Sequence, residues 1–359
     1  MGLLRVGLAV AVLLSHLPPA TFKFIGGGTA VQAFFVVSGF YMSLVLSGKY
    51  ADRGLFYSNR LLRLLPAYFV MMAIAAFGLF ALNASATASH DTFAKAFGHP
   101  TTAAVMTFEN FGLIGQDLLY WFRLPGEGAI VFDPTGAPPT DESPVAWQAL
   151  LVPQSWSLSL ELMFYALAPF LARLHWGWLA ALCAASIGLR ISGYWLPVDF
   201  GLWQGRFFPT ALFLFLFGML AQRALPLVER LPWWTGYPVN VALLALVIFL
   251  PALKPDPEFG RWMVYAGVAI ASPFVFRTFR DFTWDRWIGD LSYPIYLSHL
   301  VVIGLVLTFN VPEPVWVAIG GTLALSILIK LLVEQPVDRW RQARVHREVR
   351  PATTPAVTA

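Results

Sequence analysis

Arg5 and His16 are the first residues of this chain that could take part in chemistry, and they stand eleven positions apart in the apolar stretch RVGLAVAVLLSH. In a helix that spacing corresponds to a rise of about 16 Å, which places Arg5 at one mouth of a membrane helix and His16 in its middle to far half. An imidazole titrates near neutral pH and suits proton transfer. The pattern predicts His16 as a catalytic base, with Arg5 at the opposite mouth of the same helix.

Arg60 and Arg63 stand one turn apart at the start of a second apolar segment, RLLRLLPAYFVMMAIAAF. At spacing i, i+3 their guanidinium groups lie on one helix face about 5–6 Å apart, and such a pair can hold a phosphate group. We therefore expect them to bind an anionic, nucleotide-like donor, with Arg5 as a third cation at the same mouth. The alternative is that both arginines are ordinary anchors whose charged ends reach the lipid headgroups.

Polar side chains also occur near mid-depth in three other apolar segments: Ser38 in AFFVVSGFYM, Ser157 and Glu161 in QSWSLSLELMFY, and His299 in LSYPIYLSHL. Ionisable groups inside a bilayer are costly and usually line a cavity, so their similar depth to His16 predicts an internal site. A single intramembrane histidine or serine can instead hydrogen-bond a neighbouring helix, and this structural alternative stays open for Ser38 and His299. A buried carboxylate such as Glu161 needs a partner or a function.

The composition indicates the kind of protein in which these residues must be positioned. Of the 359 residues, 58% are hydrophobic and 12% are charged, whereas a soluble domain carries about a quarter charged residues. This predicts an all-α, polytopic integral membrane protein. The net charge of +4 is typical of Lys and Arg retained in cytoplasmic loops and does not indicate nucleic-acid binding. A single cysteine, Cys183, excludes a disulfide framework and a cysteine-based metal site, and no metal is predicted.

Ten segments are apolar enough to cross a membrane, which takes about 20 residues: 4–22, 29–47, 61–82, 150–171, 177–194, 207–222, 237–253, 261–277, 290–309 and 314–333. Ten crossings place both termini on one side. The opposite side then holds Lys23, Lys95, Arg123, Arg190, Arg206, Lys254 and Arg261, and the remaining 17 of the 24 Lys and Arg lie on the side of the termini. By the positive-inside rule the termini are therefore cytoplasmic, and the predicted location is the inner (plasma) membrane.

Residues 1–340 are predicted to form the membrane-embedded domain, and residues 83–149 to form a long external loop within it. Loops of this length without regular structure are often functional lids. Segment 101–122 contains TFENFGLIGQD, whose polar residues place it at the interface or folded back into the protein. Residues 341–359 are predicted to be a cytoplasmic, disordered tail.

Several of these segments resemble the motifs of membrane acyltransferase family 3, the O-acyltransferases of surface polysaccharides and related acceptors. Arg5 and His16 match R-x10-H, and Arg60 and Arg63 match RxxR. The segments AVQAFFVVSGFYM, SWSLSLELMFY, LSYPIYLSH and VEQP resemble four further motifs, in the family's order. Trp156 and Tyr293 lie in these segments and are expected to support the site, as are Ser38, Ser157 and His299.

The resemblance implies a ten-helix core that takes an acyl group, most often acetyl, from cytoplasmic acyl-CoA. It implies that Arg60 and Arg63 bind or position this donor and that Arg5 and His16 are essential. The expected partners are acyl-CoA, the lipid bilayer, and a carbohydrate, lipid-linked sugar or other hydroxyl-bearing acceptor at the external side. From its depth alone, Glu161 is expected to orient or protonate His16 as a third catalytic residue.

Two other functions compete with the enzyme. A transporter could use the same intramembrane His and Glu residues for proton coupling, although the sequence has no internal repeat or pair of corresponding broken helices. A structural or sensory membrane protein would leave the buried Glu161 without a role. Consumption of acyl-CoA with product formation in detergent, where no gradient exists, separates the enzyme from the transporter.

Overall fold

The structure is a computed structural model that describes residues 1–17, 24–48, 52–253 and 255–349. The described residues form sixteen α-helices: α1 Gly2–Ser15, α2 Gly27–Leu46, α3 Arg53–Leu82, α4 His90–Gly98, α5 Pro100–Gly112, α6 Trp156–Leu171, α7 Trp176–Ser192, α8 Phe200–Arg206, α9 Phe208–Arg223, α10 Leu225–Glu229, α11 Gly236–Phe249, α12 Pro257–Phe279, α13 Thr283–Asp290, α14 Ser292–Thr308, α15 Pro314–Ile329 and α16 Gln335–Val349. Two short strands, β1 Phe122–Arg123 and β2 Val131–Phe132, pair antiparallel. The predicted all-α membrane class is confirmed.

Each of the ten predicted spans coincides with one of these helices, but their lengths differ. Seven stretches are long and apolar enough to cross a membrane: Gly27–Leu46, Arg53–Leu82, Phe208–Glu229, Trp233–Leu253, Pro257–Phe279, Thr283–Thr308 and Pro314–Arg344. Helices α1 and α7 are apolar but shorter, and α6 has 16 residues. The number of ten crossings therefore stays a prediction.

The apolar core is built around α2, α6 and α9. The ring of Phe215 on α9 stacks against Phe35 of α2 and Phe164 of α6, with centroid distances of 4.7 and 4.3 Å. Glycines bring α2 and α9 close together, since a Cβ on Gly39 would lie 1.9 Å from the Phe215 carbonyl oxygen. Small residues at such crossings allow two backbones to approach. The close crossing fixes the orientation of α2 and, with it, the direction of its polar side chains.

The start of α1, which carries Arg5, is fixed against α13. The backbone amides of Gly2 and Leu3 donate hydrogen bonds of 2.7 and 2.9 Å to the carboxylate of Asp285, which is 2% exposed. This carboxylate accepts from amides that have no partner within the helix. A Cβ on Gly2 would overlap the Asp285 carbonyl oxygen at 1.6 Å. Arg5 is therefore held one turn into a rigid helix rather than on a loose terminus.

The segment between α3 and α6 is more ordered than its composition suggests, since it contains α4, α5, β1 and β2. The four polar residues of segment 101–122 are all buried, in agreement with the alternative in which it folds back into the protein: Glu109, Asn110, Gln116 and Asp117. Ser159 of α6 accepts from the Gly115 amide at 2.9 Å and donates to Asp117 at 2.9 Å. Hydrogen bonds to α6 thus compensate part of the cost of burying these groups.

Burial makes this segment sensitive to pH. It raises the pKa of Glu109 to about 8, with a further contribution from the nearby Asp117, whose own pKa is raised to about 6 by burial. The folded state thus holds these protons more tightly than the unfolded state, so stability is highest below the ordinary pKa values and falls as the pH rises to about 8.

Glu109→Gln should remove most of this fall in the melting temperature of the detergent-solubilised protein between pH 5 and 8. Glu127→Gln, on an exposed loop, should leave the fall intact, and an unchanged pH profile in Glu109→Gln would contradict the prediction.

The C-terminal part of the chain differs from the predicted tail in its first nine residues. Helix α16 extends to Val349, and its Arg341 lies against α3, where it donates to the Asn59 carbonyl oxygen at 3.2 Å. This packing accounts for order that a polar composition did not predict. Residues 350–359 lie outside the described residues.

Candidate active site

His16 and His299 form a pair of imidazole rings, with ring centroids 5.0 Å apart and planes inclined by 54°. His16 follows the last residue of α1 as its C-cap and is exposed, whereas His299 lies within α14 and is 0% exposed. The two residues, 283 positions apart in the chain, are thus neighbours in space. We call them the histidine pair.

Hydrogen bonds fix the protonation of both rings. Nδ1 of His16 contacts the Val12 carbonyl oxygen at 2.9 Å, and Nδ1 of His299 contacts that of Tyr296 at 2.7 Å. A carbonyl oxygen can only accept, so each Nδ1 carries the hydrogen and each Nε2 of the neutral ring keeps its lone pair. Nε2 of His299 is buried and has no hydrogen-bond partner among the described residues. In the neutral form of each ring, Nε2 is therefore the nitrogen that can accept a hydrogen bond.

Ser157, which follows Trp156 at the start of α6, is connected to this pair through a hydrogen bond to Tyr296. The Ser157 hydroxyl and the Tyr296 hydroxyl are 2.7 Å apart, and the Tyr296 hydroxyl donates to the Gln154 carbonyl oxygen at 2.6 Å. Since the latter bond uses the Tyr296 hydrogen, Ser157 donates to Tyr296. The Tyr296 ring lies 5.8 Å from that of His299. The structure therefore brings Ser157 to the histidine pair through Tyr296, a residue that the sequence did not single out.

Glu161 occupies a different part of the interior. One of its carboxylate oxygens accepts from Ser38 at 2.6 Å and from Tyr165 at 2.9 Å, and Glu161 interacts electrostatically with Arg5. The described hydrogen bonds and ion pairs do not join it to His16, whose ring partner is His299. The carboxylate thus lies near the arginines rather than at the His16 imidazole, which its depth had suggested as its partner.

The arginines Arg5, Arg60 and Arg63 lie together at the opposite end of α1, which we call the basic end. Arg5 interacts electrostatically with Arg63, and both Arg60 and Arg63 interact with Tyr165. Like charges repel, so a cluster of this kind is more stable when an anion or an acidic group lies nearby. The predicted clustering of the three cations is thus present in the structure.

Arg60 contacts Phe56, which lines a cavity at this end. Its guanidinium carbon is 5.6 Å from the centroid of the Phe56 ring, which lines a cavity of about 400 Å³. Arg60 itself does not line this cavity, whose charged lining residues are Asp52, Arg53, Arg173 and Arg223. A volume of this size is within the range of ligand-binding pockets. Sequence analysis had counted the three arginines only as cytoplasmic charges.

Arg63 has different surroundings from Arg60. It lines a much smaller cavity of about 20 Å³ with Tyr293 and with three acidic residues, Asp290, Glu334 and Asp338. All three carboxylates interact electrostatically with its guanidinium group. The Tyr293 hydroxyl donates to the Leu64 carbonyl oxygen at 2.8 Å, and so ties α14 to α3 at this point. Neither of the two cavities is lined by His16 or His299.

Two further arginines, Arg190 and Arg206, were not predicted as part of the interior, because the charge count only placed them on the external side. Arg190 is 0% exposed and donates to the Gln204 carbonyl oxygen. Arg206 lies half-buried between the rings of Tyr120 and Trp156. Charge counting treats an arginine near a helix end as solvated, and only the packing of α8 shows that both are interior. The described residues include no cluster of three or more His, Cys, Asp or Glu that could hold a metal ion.

The apolar helices and their polar interior define an integral, multi-pass membrane protein. A family model described as an acyltransferase domain (Acyl_transf_3) matches residues 1–333. The chain therefore belongs to acyltransferase family 3, and it is a membrane O-acyltransferase that uses an acyl donor as its co-substrate. This confirms the resemblance that was drawn from the sequence motifs.

Relatives of known sequence are similar at a low level of identity. Nodulation protein 10 of Rhizobium leguminosarum bv. viciae is 25% identical over 356 residues, which cover 91% of this chain and 87% of that protein. The exopolysaccharide production protein ExoZ of Rhizobium meliloti (strain 1021) is 24% identical over 330 residues, which cover 89% of this chain and 92% of ExoZ. An uncharacterized protein of Aquifex aeolicus (strain VF5) is 26% identical over 222 residues, which cover 56% of this chain and 93% of that protein. No solved structure matches this chain.

Proposed function

We propose that the protein transfers an acyl group, preferably acetyl, from cytoplasmic acyl-CoA to a hydroxyl group of a carbohydrate acceptor at the external side of the membrane, with both termini cytoplasmic. The observation that carries this proposal is the histidine pair at the end of α1 opposite to Arg5, in which both Nδ1 atoms are engaged by backbone carbonyl oxygens. The similarity to an exopolysaccharide production protein favours a polysaccharide as the acceptor. The positive-inside distribution of Lys and Arg supports the orientation.

The donor is proposed to bind at the basic end. The phosphates of acyl-CoA are anionic, and the cavity of about 400 Å³ beside Arg60 offers three arginines from separate helix ends. Guanidinium groups bind phosphate oxygens through paired hydrogen bonds. With the nucleotide part held there, the acyl-bearing arm of the donor points along α1, past Arg5 and Glu161, towards His16.

In the proposed transfer, Nε2 of His16 takes the proton of the acceptor hydroxyl while its oxygen attacks the thioester carbonyl carbon. The carbon–sulfur bond then breaks, and the proton passes from His16 to the departing thiolate, so that the products are an ester and free CoA thiol. The Val12 carbonyl oxygen holds the Nδ1 hydrogen and stabilises the imidazolium ion. The His299 ring, whose centroid lies 5.0 Å away, packs against the His16 ring and helps to hold its orientation.

The proposal is tested with purified protein in detergent, radiolabelled acetyl-CoA, and surface polysaccharide from a strain that lacks the gene. We expect label in the polysaccharide and one free thiol per ester formed. A transporter forms no ester, whereas an enzyme needs no gradient and therefore works in detergent micelles. Failure to release thiol or to label the polysaccharide, with acetyl-CoA and with longer acyl-CoA donors, would contradict the proposed reaction.

A further inference from the structure

Arg206, the last residue of α8, has an unusual environment for a cation near a membrane surface. Its guanidinium carbon lies 3.5 Å from the centroid of the Tyr120 ring and 4.6 Å from that of the Trp156 ring. Its Nη1 atom is buried and has no hydrogen-bond partner among the described residues. The side chain is thus held between two aromatic faces with unused donor capacity.

The position of Arg206 is imposed by neighbouring residues. Arg190 donates to the Gln204 carbonyl oxygen, and the Gln32 side-chain amide donates to the Gly205 carbonyl oxygen at 3.3 Å. Gln32 is in turn bound by Arg190 and by the Tyr265 hydroxyl. These contacts fix the two backbone carbonyl groups that immediately precede Arg206. A buried arginine is a costly way to fix a helix end, which indicates that the location of Arg206 matters.

The charge of Arg206 is not neutralised within the described part of the chain. None of the ion pairs found there includes it, although Arg123, Arg261 and Arg280 each pair with a carboxylate. Aromatic faces stabilise a cation, but by less than a carboxylate in a partly buried site. A half-buried, stacked guanidinium group without an acidic partner is suited to an anionic ligand.

The ligand of Arg206 would lie at the histidine pair rather than at the basic end. Arg206 interacts electrostatically with Tyr296, whose ring lies 5.8 Å from that of His299. Trp156, which stacks on Arg206, directly precedes Ser157. Arg5, Arg60 and Arg63, by contrast, share no described contact with Arg206. The anion at this position is therefore separate from the phosphates of the donor.

We propose that Arg206 binds a carboxylate of the acceptor, so that the enzyme selects an acidic carbohydrate. The guanidinium group pairs with the carboxylate, and the outer face of Trp147, whose other face stacks on Tyr120 with centroids 5.1 Å apart, gives the neighbouring sugar an aromatic surface. The acceptor hydroxyl is thereby directed to His16. This inference rests on the proposed function and names the class of acceptor that the site takes.

The test compares the acidic surface polysaccharide from the deletion strain with the same material after chemical reduction of its carboxylates to alcohols. With wild-type protein we expect the KM to rise by about 10- to 100-fold on reduction, since a charge-assisted pair is lost. Arg206→Gln should give the same high KM with both materials, with an unchanged KM for the donor. Arg206→Lys should recover part of the preference, because it keeps the charge and loses the planar fork. Arg261→Gln, which removes an arginine that is paired with Glu258, is the matched control and should behave as wild type.

The inference would be overturned if the wild-type protein had the same KM for native and reduced polysaccharide. It would also be overturned if a folded Arg206→Gln variant showed the same rise in KM, relative to wild type, for both materials. A binding measurement distinguishes failure of this inference from failure of the proposed function. A uronic-acid trisaccharide should quench tryptophan fluorescence of the wild-type protein at about 10-fold lower concentration than its carboxyl-reduced form, and this difference should vanish in Arg206→Gln. If no acyl transfer occurs but this difference is found, the anion site stands and the reaction does not; if the difference is absent, the site is wrong.

Discussion

Replacing His16 with alanine is expected to lower the rate of acyl transfer by about 10²- to 10⁴-fold, the usual contribution of a general base. The neutral ring presents Nε2 as its only basic nitrogen, because Nδ1 donates to the Val12 carbonyl oxygen. His299 is buried within α14 and does not replace it at the exposed end of α1. The measurement is the initial rate of ester formation by purified protein at saturating donor and acceptor.

A matched control distinguishes this loss from general damage. His175 caps α7, where its Nδ1 accepts from the Gly177 amide at 3.2 Å, and His175→Asn keeps that cap and should retain full activity. His16→Ala should also keep its affinity for the donor, because Arg60 and the large cavity lie at the other end of the bundle. Full transfer by a folded His16→Ala protein would remove His16 from the mechanism.

The helices were the most predictable part of this protein. Every predicted span overlaps a helix of the structure, since an apolar stretch in a bilayer must satisfy its backbone internally. The ends were less predictable: α1 ends at Ser15 although its apolar pattern continues to about residue 22, and α3 begins at Arg53 rather than at 61. At the latter, Asp52 accepts from the Gly54 and Leu55 amides, and this cap extends the helix beyond its apolar part.

The neighbours of individual side chains were less predictable than the helices. Depth along a helix can be read from sequence, and the structure brings the rings of His16 and His299, which were expected at similar depth, within 5.0 Å of each other. Rotation about the helix axis cannot be read in the same way, because it depends on close crossings such as that of Gly39 with Phe215. Glu161 therefore faces Ser38 and Tyr165 rather than the imidazole that its depth suggested. The catalytic and donor-binding roles of these residues stay predictions.

Arg60 and Arg63 belong to one sequence motif, but their side chains have different surroundings in the structure. Three residues correspond to about 300° of rotation, so the two side chains point some 60° apart. That difference is enough to place Arg60 beside Phe56 and the large cavity, and Arg63 among Asp290, Glu334 and Asp338. Arg60 thus lies near a cavity of about 400 Å³ whose lining includes three arginines and Asp52, whereas Arg63 lines a cavity of about 20 Å³ together with three acidic residues.

Substitution of the two arginines should consequently affect different properties, namely donor binding for Arg60 and stability for Arg63. Arg60→Ala is expected to raise the KM for acyl-CoA by about 10- to 100-fold with little loss of stability, because it removes a charge-assisted contact to the donor. Arg63→Ala is expected to lower the free energy of unfolding by about 1–3 kcal/mol, because it leaves acidic groups without their neighbouring cation. Donor titrations and thermal unfolding of both variants, with Arg60→Lys and Arg63→Lys as charge-preserving controls, make the comparison. Equal donor defects and equal stabilities in the two alanine variants would show that the pair acts as a single clamp, and the division between them would then be wrong.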